Sequence, residues 1–214
     1  MKNVWQKGKK ELLANPFLVL ISLVLITIPF HYRYNSIAII VLVIYSLLQV
    51  RSKKIVFQLH LLWPILLYSL MALSLVWSIN FTNSLQALSK ELALVLIPVC
   101  FIVNPSLTIE NRNKVLGYFS YSMLFFTLFC ILKASLRFYY FNDTSVFFYH
   151  ELVTFDVNAI HVSVYVSVAF FYFFFKKEKT PIAIMALFVL PLFLILLSSK
   201  NIIVVFSLLL LFSV

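Results

Sequence analysis

Charge is scarce in this chain: 11% of its 214 residues are charged, seven of them acidic, while 63% are hydrophobic. An ordinary soluble domain is roughly a quarter charged and about half apolar, so a water-soluble fold is excluded. Glycine is nearly missing as well. With Gly8 and Gly117 alone, no glycine-rich loop can cradle a phosphate. Cysteine is limited to Cys100 and Cys130, both inside apolar runs. Neither has metal-ligand spacing or belongs to an extracellular cysteine framework, so both read as packing residues and the redox compartment stays open. No nucleophile motif, internal repeat, low-complexity tract or linker is visible, and one membrane domain over residues 1–214 is the simplest reading.

What the sequence does have is long unbroken apolar runs, without the in-out alternation of roughly ten-residue strands that marks an outer-membrane barrel. Helices are therefore the spanning element, because each satisfies its own backbone polar groups inside lipid. The expected fold class is an all-α, polytopic transmembrane helix bundle of about eight spans, at 16–30, 36–50, 61–77, 85–103, 115–136, 159–175, 181–197 and 202–214. Asn15-Pro16 and Thr180-Pro181 carry the cap-then-proline signature of a helix start. Pro98 and Pro191 predict kinks in the fourth and seventh spans. Arg33 falls in a turn between the first two spans, and the stretch 137–158, with Asp143, His150, Glu151 and Asp156, is the longest polar connection.

Residues 80–91 stand apart. Leu85, Leu88 and Leu92 recur at helical spacing, with Ser84, Gln86, Ser89 and Lys90 on the other faces, which predicts an interfacial helical turn leading into span four. The last apolar run counts thirteen residues, about 20 Å of helix against a hydrocarbon core of roughly 30 Å, which predicts a truncated final span in a longer protein.

The net charge of +10 comes from Lys and Arg in short clusters between apolar runs, which is a membrane-topology pattern and not a nucleic-acid-binding face. The basic start (Lys2, Lys7, Lys9, Lys10) before an apolar run resembles a signal peptide. His31-Tyr-Arg-Tyr34 follows that run where small residues would be needed for cleavage, so the segment is expected to stay as the first span. With the amino terminus in the cytoplasm, twelve of the 17 Lys and Arg residues fall on the cytoplasmic side and five on the other, with the excess in the favoured direction.

The five outer cations are Arg33, Lys90, Lys133, Arg137 and Lys200, with His150 and His161 on the same side. Ionisable groups at membrane depth are costly and need a reason. If spans four to eight pack together, Lys90, Arg137, His161 and Lys200 could line an outer cavity suited to an anionic ligand such as a lipid diphosphate. The plainer readings stay beside this one. Lys133 and Arg137 could snorkel to headgroups, and His161 could be a packing residue. Lys90-Glu91 could be a solvated pair, and adjacent His150-Glu151 is a weak acid-base signal. No metal or cofactor site is expected.

Three stretches resemble a known family. Leu73-Ser-Leu-Val-Trp-Ser-Ile-Asn80 with Ser84-Leu-Gln-Ala-Leu-Ser-Lys-Glu-Leu-Ala-Leu-Val-Leu-Ile-Pro98 is similar to the third span, outer turn and fourth span of the O-antigen ligase and polymerase superfamily. Ile160-His-Val-Ser-Val-Tyr165 resembles its histidine-then-tyrosine opening of a later span, and Leu196-Leu-Ser-Ser-Lys-Asn201 stands where members show a serine-arginine pair. The resemblance implies a metal-independent glycosyltransferase of the bacterial inner membrane, without cofactor. It would move glycan from undecaprenyl diphosphate to an acceptor sugar at the periplasmic face. Its partners would be membrane lipids, the undecaprenyl diphosphate-linked glycan and a glycan or lipid acceptor, with no nucleic acid. Lys200 would take the place of the family's diphosphate-contacting arginine, keeping the charge but losing the planar fork. Lys90 would match a basic residue at the head of span four. The family's catalytic histidine would lie beyond residue 214, so no catalytic residue is assigned within the chain. The rival reading is a transporter or exporter of an anionic or lipid-linked solute, which would show paired broken helices in two related halves; a scaffold of an envelope complex has no positive sign.

The orientation is directly testable. Compartment-sensitive reporters inserted at Ser52 and Asn142 are expected to report opposite sides of the membrane, and finding both on one side would overturn the topology.

Overall fold

The computed structural model describes residues 15–51, 58–104, 107–153 and 157–213. The basic residues Lys2, Lys7, Lys9, Lys10, Lys53 and Lys54, the reporter position Ser52, and Asp156 lie outside them. The chain is all-helical, with no strand among the described residues. The helices are α1 (Pro16–Thr27), α2 (Tyr32–Gln49), α3 (Leu62–Leu73), α4 (Phe81–Lys90), α5 (Ala93–Val103), α6 (Ile109–Phe141), α7 (Tyr149–Leu152), α8 (Ala159–Phe175), α9 (Pro181–Leu196) and α10 (Lys200–Ser213). Short 3₁₀ turns flank α3 at Leu59–Leu61 and Ser74–Trp77, and another covers Thr144–Phe147.

Four helical stretches are long and apolar enough to cross a membrane: Tyr32–Gln49, Leu59–Trp77, Phe81–Val103 and Ile109–Phe141. The apolar helices α1, α8, α9 and α10 are shorter, at 12, 17, 16 and 14 residues.

Local signals account for several helix starts. The Asn15 side chain accepts from the Leu18 N–H at 3.3 Å, and the Thr180 hydroxyl accepts from the Ala183 N–H at 3.3 Å with Pro181 just inside α9. Asn80 and Asn158 cap α4 and α8 in the same way, accepting from Asn83 and Ile160. Each cap supplies a partner for one of the N–H groups that a helix start leaves unpaired. Several boundaries differ from the sequence reading, and two of the differences change where polar residues fall. Arg33 is not in a turn but in the first turn of α2. The long polar stretch is mostly structured, because α6 runs on to Phe141 before Asn142 closes it in a left-handed conformation (φ 51), its N–H donating to the Phe138 carbonyl at 2.8 Å. An asparagine tolerates that conformation better than most residues. At 33 residues, α6 is about 50 Å long and exceeds a hydrocarbon core of roughly 30 Å.

The chain divides into two compact units, the first comprising Met1–Val24 with Ser36–Asn111 and the second Leu25–Asn35 with Arg112–Val214. In the first, Ala38, Leu42 and Ser46 of α2 are buried at every fourth position, the one-face spacing of a helix. The Asn104 amide, buried at the close of α5, donates to the Ser46 hydroxyl at 3.3 Å and to the Cys100 carbonyl at 3.2 Å. It ties α5 to α2 through a polar link that an apolar surround makes costly to break. Phe17 of α1 meets Phe101 of α5 edge-on at 5.5 Å. α3 buries no residue at all, and Leu66, Leu67 and Leu70 lie on its open surface. Of the apolar stripe only Leu88, in α4, is buried; Leu85 of α4 and Leu92, between α4 and α5, are exposed.

The second unit is built around an antiparallel hairpin of α8 and α9, joined by residues 176–180. The buried positions of α8 are Ala159, Val162, Ser163, Val166, Ala169, Phe170 and Phe173, and those of α9 are Ala183, Ala186, Leu190, Phe193 and Leu194. Both sets follow three-and-four spacing, and the alanines and Ser163 let the two backbones approach closely. The Ser163 hydroxyl, with no water to reach, donates back to the Ala159 carbonyl at 2.8 Å. α6 adds Met123, Phe126, Cys130 and Ala134 to the same core. Phe206 of α10 packs on Phe170 at 4.9 Å. Cys100 and Cys130 are both free and buried, and the aromatic run divides its work: Phe170 and Phe173 are buried, Phe175 exposed.

Gly117 marks a close approach of α6 to Tyr172 of α8. A Cβ there would stand 2.7 Å from the Tyr172 hydroxyl oxygen. Replacing Gly117→Leu is therefore expected to cost about 1–3 kcal/mol of stability through overpacking, read as a lower melting temperature in detergent. The loss should be smaller when Gly117→Leu is made in a Tyr172→Ala background; a loss of the same size in both backgrounds would refute the contact.

Candidate functional site

The cations singled out from the sequence fall into both units. Lys90, the last residue of α4, is exposed and belongs to the first unit. Lys133, Arg137, His161 and Lys200 belong to the second. Because α8 and α9 are antiparallel, the start of α8 shares an end with the close of α9, which places His161, in the first turn of α8, and Lys200, the first residue of α10, at one end of that unit. Two hydrogen bonds anchor the later part of α6 to the chain just ahead of α8. Lys133 donates to the Val153 carbonyl at 3.4 Å. Arg137 donates to the Glu151 carbonyl at 3.0 Å and to its carboxylate at 2.7 Å.

That double grip on Glu151 was not legible in the sequence, since the partners lie fourteen residues apart on different elements. Its ion pair is open to solvent, with side-chain exposures of 35% for Arg137 and 58% for Glu151, and exposed pairs of this kind add only about 0–1 kcal/mol. It positions the segment more than it stabilises the fold. The His150-Glu151 neighbours are not arranged as an acid-base pair: the carboxylate faces Arg137, and the His150 ring packs on Tyr149 at 4.1 Å. His161 and Lys200 are exposed.

Beside the cations, α6 carries a shallow groove of about 300 Å³ lined by Phe129, Leu132, Lys133, Leu136, Arg137, Tyr140 and Phe141. All seven residues come from one face of one helix. The floor is hydrocarbon and aromatic, and the two cationic side chains supply its polar edge. Chemically it suits a ligand with an apolar tail and an anionic head. Neither His161 nor Lys200 lines it. Among the described residues, no three of His, Cys, Asp and Glu come together as they would to hold a metal ion.

The loop at this end has its own fastening. The Asp143 carboxylate accepts from the Ser145 N–H at 2.8 Å and from the Ser145 hydroxyl at 2.7 Å, capping the Thr144–Phe147 turn. These bonds, the backbone one foremost, hold the Asp143 carboxyl below its ordinary range.

Composition and fold together define an α-helical membrane protein. No family model, curated protein or solved structure matches the chain.

A carboxyl whose folded-state pKa is depressed contributes stability that is present above its unfolded value of about 3.9 and fades as pH falls through the folded one. Amide-exchange protection at Ser145 is thus expected to be constant from neutral pH down to about 4 and to drop below that. In Asp143→Ala protection should be low throughout; protection that stays high in this variant would show that the carboxylate does not hold the turn.

Proposed function

We propose that this chain acts as part of an O-antigen-ligase- or polymerase-like glycosyltransferase, a multi-pass protein of the bacterial inner membrane with its amino terminus in the cytoplasm and all eight apolar helical segments crossing the bilayer. The observation that carries the reading is the gathering of Lys133, Arg137, His161 and Lys200 at one end of the second unit, next to an apolar groove edged by two of them. In the proposed orientation that end faces the periplasm. A polyprenyl diphosphate presents the same combination of hydrocarbon tail and concentrated negative charge.

In the reaction, the acceptor sugar hydroxyl loses its proton to a general base and attacks the anomeric carbon, and the bond from that carbon to the diphosphate oxygen breaks. The base is not among the residues named here. The contribution of this chain is electrostatic: cationic side chains offset the charge that builds on the departing diphosphate, which is where a preorganised site lowers the barrier most. Lys200 is the leading candidate for that contact, with Arg137 and His161 placed toward the same end of the second unit; Lys90 belongs to the first unit and is not assigned to this contact. As a lysine, residue 200 offers a point charge and not the bidentate fork of an arginine.

A transporter or exporter of an anionic or lipid-linked solute is the second reading. It is favoured by one observation, the break between α4 and α5 at Glu91–Leu92 inside the candidate span Phe81–Val103, since interrupted spans often shape transporter sites.

Reconstitution of the full-length protein with undecaprenyl diphosphate-linked glycan and an acceptor distinguishes the two. Transfer is expected, and Lys200→Ala should lower its turnover roughly 10²-fold, the scale of losing one transition-state contact. Unimpaired transfer by Lys200→Ala would remove that residue from the mechanism, and movement of glycan lipid across the bilayer without transfer would favour the transporter.

A further inference from the structure

The opposite end of the second unit holds a second groove that the proposed reaction does not use. Its volume is about 680 Å³, and Leu116, Val168, Phe171, Tyr172 and Phe175 make up most of its wall, with Asn113, Lys176 and Lys177 at its mouth. The volume lies within the roughly 300–1,000 Å³ typical of small-ligand sites. From Val168 to Phe175 the α8 wall rises about 10 Å, roughly a third of the way through a hydrocarbon core. This is a hydrocarbon slot that opens beside two lysines.

The three lysines of the α8–α9 link are used differently. Lys179 donates to the Phe173 and Phe174 carbonyls at 2.8 and 2.6 Å, closing the end of α8, where a cation also favours the helix dipole. It is a structural lysine. Lys176 donates to the Tyr121 hydroxyl at 3.1 Å and stands 5.6 Å from the centre of that ring. This contact holds the ammonium in place at the groove mouth and occupies one of its three N–H donors, leaving two for a ligand. The bond to Tyr121 keeps the Lys176 ammonium protonated to higher pH than an ordinary lysine. Lys177 is exposed at the same mouth. Glu178 follows, also exposed, so the mouth keeps a net positive charge.

We propose that this groove is a binding site for an anionic glycerophospholipid, one acyl chain lying against Val168, Phe171, Tyr172 and Phe175 and the phosphate meeting Lys176 and Lys177. Basic clefts between membrane helices on the cytoplasmic side take such headgroups. The assignment to the cytoplasmic leaflet rests on the orientation proposed above; the binding chemistry does not.

The test uses the full-length protein in nanodiscs of equimolar phosphatidylglycerol and phosphatidylethanolamine, with retained lipid counted by native mass spectrometry after detergent extraction. Phosphatidylglycerol should be retained preferentially. The preference should fall about fivefold for each lysine neutralised in Lys176→Gln and Lys177→Gln. Val168→Trp, which fills the slot and leaves the charges, should abolish it. A photoactivatable phosphatidylglycerol should cross-link the unmodified protein within residues 168–177, which keeps the proposal testable if the Trp variant fails to fold. Equal retention of both lipids, or a cross-link elsewhere, would overturn it. A preference that survives Val168→Trp would reduce the site to surface attraction and overturn it as well. Labelling of Glu178→Cys by an impermeant maleimide reads the orientation separately: protection in sealed right-side-out vesicles keeps the cytoplasmic assignment, and labelling refutes that assignment while leaving the groove result intact.

Discussion

Every feature of this chain answers to one constraint: in a chain so poor in charge, polar groups among the apolar side chains must find their partners within the protein. Helices satisfy the backbone. Most of the buried polar side chains follow the same rule on a smaller scale, the Thr127 hydroxyl of α6 being the exception among the described residues. Buried serines return their hydroxyls to a carbonyl one turn back, as Ser22 does to Leu18 and Ser120 to Leu116. Asn104 spends its amide on Ser46 and Cys100. Small side chains replace a hydrophobic driving force with close packing between α8 and α9, because aliphatic residues gain little by leaving lipid for one another.

Under that constraint the positions of the cations become informative. In the second unit they sit toward helix ends, Lys133 farthest in, and where a partner is visible it is an oxygen or an aromatic face: Lys133 on Val153, Arg137 on Glu151, Lys176 on Tyr121, Lys179 on the end of α8. The two grooves share this logic. Each has a hydrocarbon floor and two cations at its edge, one groove at each end of the unit, which is the combination an amphiphile with an anionic head would require. The snorkelling and ligand-binding readings of such cations are less opposed than they look, because a lysine that reaches a headgroup beside a slot already performs the first step of binding.

The sequence made the helices legible because long apolar runs and cap-then-proline signatures are local. The bounds 159–175 agree with α8 to the residue, and the cap at Asn15 and the start at Pro181 also stand as read. The interior of the polar stretch 137–158 was not legible. Its helical content depends on an ion pair and an Asp143 cap that link residues whose meeting no periodicity encodes. α6 outruns its expected bounds at both ends because polar residues such as Arg112, Lys114 and Arg137 continue a helix readily once they leave the hydrocarbon. For the site, the residue types were visible but their grouping was not. Sequence alone treated Lys90, Arg137, His161 and Lys200 as one set, whereas Lys90 belongs to a different compact unit from the others. The Lys176 groove went unnoticed because its walls are ordinary membrane-helix residues brought together only by packing of α6 on α8.

The length of α6 has a mechanical consequence. Tyr121, gripping the Lys176 ammonium, and Arg137, gripping Glu151, belong to this one helix, with about 24 Å of rise between them. Such a rod fixes the spacing of the two clasps along its axis, so neither can slide along the unit without bending α6 or breaking a hydrogen bond. One helix thereby sets the distance between the two ends of the unit that these clasps hold.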